Sequence, residues 1–279
     1  MINQSELKQK LTEIKRNDWQ LNKEDLFELT LASIHHIGTV DAYLRDDLIL
    51  EFIWEMITSK QYSNKQLLKI LTLCLNDNHL FYKLGLTNDD SVFNRSFSML
   101  IIKQILLYFA LVDKNLLNIG EFNQVVDKIF IYIKEELDYR GFVGEKGWAH
   151  SMAHAADALK AIPLCPYVTK NQMQTLMALI KEKVALKHFA YCYGETERFT
   201  SAIINAINSN LLTTNEIIDW INEFKQEPIF ESIDEKVIFK ENTKGLLRSL
   251  YFRIKFSNEH LALLEPLEHT IKLINTPYH

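Results

Sequence analysis

The chain is poor in the residues that build turns and cross-links. Eight glycines and five prolines in 279 residues are too few for the many tight turns of a sheet-rich protein. The three cysteines, Cys74, Cys165 and Cys192, are an odd number, lie far apart and form no CxxC pair. That disfavours a disulfide framework or a thiolate zinc site and fits buried thiols in a reducing cytosol. A basic excess is missing too: the formal net charge is -5, against the counterion release on which general nucleic-acid binding draws. Long apolar runs are also absent. The most apolar stretch, Met99 to Val112, is too short to span a bilayer and carries Lys103 and Gln104, so it reads as a buried core helix. The opening MINQSELKQKLTEIKRND is charged and amphipathic rather than secretory. These absences point to a soluble, cytoplasmic protein with no membrane partner, and they disfavour nucleic acid.

What is present is apolar residues at helical spacing through nearly the whole chain. The pattern predicts helices over 4–16, 24–36, 41–58, 64–76, 91–112, 119–138, 146–162, 170–187, 195–208, 213–224, 241–256 and 259–273. Asp41, Asp90, Thr169 and Thr213 stand where N-caps belong. Residues 225–240 read as a loop with a short helix or strand. No glycine-rich or serine-rich linker interrupts the chain, so residues 1–279 read as one all-helical repeat domain.

Four segments, DAYLRDDLILEFI, DSVFNRSFSMLII, GETERFTSAIINAI and NTKGLLRSLYFRI, each open on a turn or cap residue. An arginine and an apolar helical face follow. The arginines, Arg45, Arg95, Arg198 and Arg248, are 50, 103 and 50 residues apart. GEKGWAHSMAHAADAL fills the vacancy, with His150 in the arginine place. The arrangement resembles HEAT-like repeats. It implies an all-α fold, an α-solenoid of about five helical hairpins whose stacking buries faces that one hairpin cannot bury alone. A compact irregular bundle is the competing architecture. In the solenoid the arginines and His150 would stack as a polar ladder, structural in most such folds, or else line an anion-selecting groove.

The most unusual segment is DYRGFVGEKGWAHSMAHAADAL, residues 138–159, which holds Gly141, Gly144 and Gly147. Projected at about 100° per residue, His150, His154 and Asp157 share one narrow stripe. Trp148, Met152, Ala155 and Leu159 fall on the opposite, core face. Two imidazoles at i and i+4 with a carboxylate a turn on can hold a divalent cation and leave a position open for water. Glu145, just upstream, would then serve as the catalytic base, although an ordinary N-terminal cap is the readier explanation. The same three groups could instead bind a ligand without metal, or form a polar cluster that fixes hairpin register. No HExxH is present. Asp138 and Arg140 are placed to pair locally, or else to reach the groove. Glu195 and Arg198 are spaced to meet on one helix face. In a solenoid they would neighbour His150, with Arg198, and Arg95 one repeat earlier, as anion clamps or as structural pairs.

The run GFVGEKGWAHSMAHAADAL, together with DAYLRDDL, DSVFNRSFSML and GETERF, resembles an uncharacterised bacterial family known only as a domain of unknown function. The resemblance implies an all-helical, HEAT-like cytoplasmic protein and carries over no catalytic residue. Three functions compete. The first is a binding or scaffold module whose concave groove recognises a protein segment or a small anionic ligand. The second is a metal-assisted hydrolase using His150, His154, Asp157 and Glu145. The third is nucleic-acid processing, against which the charge balance counts.

Overall fold

Short polar side chains set the helix starts. Asn3, Ser63, Asn118, Thr169 and Thr213 each accept the N–H three residues on, and Glu6, Gln66, Glu121, Gln172 and Glu216 reach back to the cap N–H. These are five complete capping boxes, each contributing about 1 kcal/mol. In the computed structural model the described residues are 2–21 and 23–275. They form α1 (Gln4–Arg16), α2 (Lys23–His35), a π-helical segment Tyr43–Leu50 that runs into α3 (Glu51–Thr58), α4 (Asn64–Cys74), α5 (Ser91–Leu111) and α6 (Ile119–Glu135). Then come α7 (Ser151–Ala161), α8 (Lys170–Val184), α9 (Glu195–Asn208), α10 (Thr214–Asn222), α11 (Ile233–Ser257) and α12 (Leu264–Ile274). Among the described residues there is no β-strand, only an isolated antiparallel bridge between Phe142 and Trp148. The protein is all-helical.

Contacts group the chain into two compact units, Met1–Ala158 and Leu159–His279. The division falls within α7, so no linker marks it in the sequence. The first unit is built on α5, which buries Phe93, Phe97, Ile101, Ile102, Ile105 and Phe109. A helix apolar all round belongs inside a core, and α3 and α4 pack on this one. In the second unit α11 packs on α9 and α12, burying Phe199, Ile203, Leu246, Leu250 and Leu267. Each such side chain contributes roughly 1.5–3 kcal/mol. No described helix is long and apolar enough to cross a membrane.

Three local expectations need correction. The helix predicted over 146–162 begins only at Ser151, because Gly147 and His150 hold positive φ angles of 73° and 47°. The helix predicted over 241–256 begins at Ile233, so Arg248 sits deep inside it and is exposed, whereas Arg45 and Arg95 open their helices and are fully buried. These arginines do not occupy equivalent sites. Cys74 and Cys165 are buried, as expected, but Cys192 is exposed; burial pushes the Cys165 thiol up to about 12.

Candidate functional site

The segment that stands out in the sequence folds back on itself ahead of α7. Val143 N donates to Gly147 O at 2.8 Å, Ala149 N to Gly141 O at 2.8 Å, and His150 N to Arg140 O at 3.0 Å. Two short extended arms are thereby joined by a tight turn at Gly144–Lys146. The arms alternate as extended backbone does: Gly147 and Ala149 face inward, and Trp148 between them is 38% exposed. Trp148 was expected in the core on a helical projection. It instead stacks on the His150 ring, with centroids 4.3 Å apart, and meets Phe142 at 4.9 Å.

Arg45 anchors this loop. Its guanidinium lies over the rings of Phe93 and Phe97 at 4.3 and 4.6 Å. It donates to Thr39 O and to Lys146 O, both at 2.8 Å. Asp46 lies 2.8 Å from Nε, yet the pair lacks hydrogen-bond alignment. Burial pulls the Arg45 pKa down and pushes the Asp46 carboxyl up to about 6, the neighbouring opposite charge only partly opposing each shift. Gly147 closes against this group. A Cβ there would stand 2.9 Å from Ala42 Cβ and 3.2 Å from an Arg45 terminal nitrogen, at a φ few side chains adopt. We therefore expect Gly147→Ala to cost about 2–4 kcal/mol, strain plus overpacking, measured by urea unfolding. A loss below half a kcal/mol would refute the tight closure.

The histidines meet, but not as helix neighbours. His150 precedes α7 and caps it, its carbonyl accepting His154 N at 2.9 Å. The two buried rings lie edge to face at 5.7 Å, and His154 meets Phe97 at 5.2 Å. The projection of His150, His154 and Asp157 onto one helical stripe therefore fails at His150. Among the described residues no three His, Cys, Asp or Glu side chains gather where one metal ion could be held. Asp157 is half-buried on α7. Glu145, expected as a base or cap, is exposed on the loop turn. Asp138 pairs with Arg140 as predicted, at 2.6 Å.

Arg95, expected as an anion clamp, is saturated from within. It is fully buried and holds Glu136 through two bonds of 2.6 and 2.9 Å. It also donates to Ser91 Oγ and to the carbonyls of Tyr82, Lys83 and Leu86. Its donors are spent on structure, so it has none for a ligand. In the second unit Glu195 opens α9 and is buried, one carboxylate oxygen accepting Tyr193 N at 2.9 Å. Arg198 follows in the same turn, half-buried.

No motif or periodicity marks the open groove beside this loop in the first unit, about 460 Å³ in volume. It is lined by Gln4, His35, His36 and Tyr82 and by Asp89, Asp90 and Asn94. Gly38 admits the close approach of α5, a Cβ there falling 2.6 Å from that of Asn94. Three contacts tie the loop to the groove. Arg45 holds Thr39 O, Arg140 donates to Asp89 O at 2.9 Å, and Lys146 grips both oxygens of Asp90 at 2.8 Å. Asp89 Oδ1 accepts Ser91 N, and hydrogen bonding from the Ser91 side chain and backbone, with Lys83 nearby, holds its carboxyl below the usual range. The loop and the DAYLRDD and DSVFNR segments are thus the frame of one cleft.

The class these features define is an all-helical protein in which the loop before α7 braces a polar cleft. A family described as a protein of unknown function (DUF2785) matches residues 80–252, more than half of the chain, and the chain belongs to that family. No curated protein and no solved structure matches it.

Proposed function

We propose that the protein is a binding module that takes a short protein segment in the polar groove of its first unit. One observation carries this reading: a cleft of about 460 Å³, within the size range of ligand sites, has its lining residue Thr39 held by buried Arg45. A peptide backbone presents donors and acceptors alternately, and the groove lining holds both kinds, the Gln4 amide, the His35 ring, the Asn94 amide oxygen and the Asp89 carboxylate. Asn94 Nδ2, His36 Nε2 and Asp90 already have partners within the chain. A small anion is the weaker fit, because two carboxylates line the same space. The architecture in this reading is a HEAT-like series of helical hairpins. It is supported by Arg45 and Arg95, which open their helical segments 50 residues apart and are both buried. A cytoplasmic setting is supported by Cys74 and Cys165, buried cysteines that form no disulfide.

Selection of random dodecapeptides on the full chain tests the reading. Enriched peptides should bind the wild type and lose at least about tenfold, or 1.4 kcal/mol, on His36→Ala/Tyr82→Ala. Peptides indifferent to that variant would refute the groove. Shifts of the groove resonances with inorganic phosphate alone would favour a small anion instead.

A further inference from the structure

The polar groove does not end at His35. That side chain also lines a second groove of about 420 Å³ between α1 and α2, whose other walls are Ile2, Lys10, Leu29, Leu31 and Ala32, with Glu28 beside them. Leu29, Ala32 and His35 recur every third residue and so share one side of α2. Where a larger residue would fill the space between the helices, Ala32 presents only a methyl group. α1 spends its large apolar side chains elsewhere, with Leu7, Leu11 and Ile14 buried. The two grooves differ in chemistry. One is polar, with both donors and acceptors; the other is walled by aliphatic side chains and carries one charge of each sign. At their junction Ile2 O lies 3.1 Å from His36 Nε2, so Ile2, His35 and His36 stand where the two grooves meet.

From this juxtaposition we infer that the partner segment is bipartite: an apolar side chain seats between α1 and α2 against Leu29, Leu31 and Ala32, and the adjoining backbone and polar side chains cross His35 into the polar groove. The inference rests on the groove reading above and adds the specificity element. A polypeptide suits the pair because it carries apolar side chains on a polar backbone at a spacing of about 3.3 Å per residue, so neighbouring residues can occupy both spaces. Lys10 and Glu28 favour charged residues of either sign flanking the apolar one. Burying one Leu-sized side chain there is worth about tenfold or more in affinity.

The experiment uses the selected dodecapeptides and three variants of the full chain, each checked for an unchanged circular dichroism melt. Ala32→Asp puts a charge in the apolar groove, Leu31→Ser removes part of its wall, and Tyr82→Ala alters only the polar groove. The expected result is an apolar residue shared by the selected peptides, with binding weakened at least about tenfold by its replacement with alanine, by Ala32→Asp and by Leu31→Ser. Peptides that respond to Tyr82→Ala but to neither α2 variant would overturn the apolar anchor and leave the groove standing. Peptides that respond to none of the three, or the failure of any peptide to be enriched, would overturn both.

Discussion

Glu136→Ala should lower the stability of the first unit by about 3–5 kcal/mol. Burial pulls the Arg95 pKa down, but Glu136 outweighs it and holds the guanidinium above its ordinary value. With the carboxylate gone, a cation with no exposed surface keeps only neutral carbonyl and hydroxyl partners. The loop suffers as well, since Glu136 Oε1 also accepts Leu137 N at 3.0 Å and Asp138 N at 2.9 Å. Glu136→Gln keeps the shape and part of the bonding and should cost less. The double change Arg95→Met/Glu136→Leu removes both charges and should recover much of the loss, because a buried pair adds little net stability over apolar residues of similar volume. Urea denaturation read by circular dichroism checks the order. If the double variant proved no more stable than Glu136→Ala, the uncompensated charge would not be the cause.

The helices were legible because their signals are local. A capping box needs four consecutive residues, and Thr169 with Gln172 or Thr213 with Glu216 could be seen without any partner. The core helix showed in the same way, through the apolar stretch 99–112. The site was misread where a helical period was extended over residues that do not obey it. HAAD and the alanines around it are helical, but Gly147 and His150 take positive φ, and two residues outside the helix suffice to take His150 off the stripe. The glycines gave that signal, since three of the eight fall within seven residues. Their reason is tertiary: Gly147 must admit Ala42 and Arg45, more than a hundred positions earlier. The groove left no trace in the sequence for the same cause. Its walls come from 4, 35–39, 82–83 and 89–94, and no periodicity links them. Arg45 and Arg95 were noticed for their spacing, but spacing alone could not distinguish a ligand clamp from an arginine whose donors are all spent.

Arg45 and Asp46 give a second test, in which the two partners of one ion pair move stability in opposite directions. Arg45→Ala should destabilise by about 3–5 kcal/mol. It strips the carbonyls of Thr39 and Lys146 of their donor, removes the cation between Phe93 and Phe97, and leaves Asp46 without its counter-charge in a cavity. Asp46→Asn should instead stabilise at pH 7.5. Desolvation is the largest influence on this carboxyl and raises it from 3.8 to about 6 despite the cation beside it. The sign follows from linkage. A folded-state pKa above the unfolded value means the native state holds the proton more tightly. The contribution of Asp46 is therefore most favourable below about pH 4 and is lost as pH rises through 6. Asparagine carries no charge at any pH and removes that loss. The two proteins should melt together near pH 4, and the variant should pull ahead by a few degrees between pH 5 and 7. A gap that is constant across this range, or a variant that melts lower at pH 7.5, would show that the unaligned 2.8 Å contact repays the burial of both charges. The cost of ionised Asp46 would then be no part of how the loop is held.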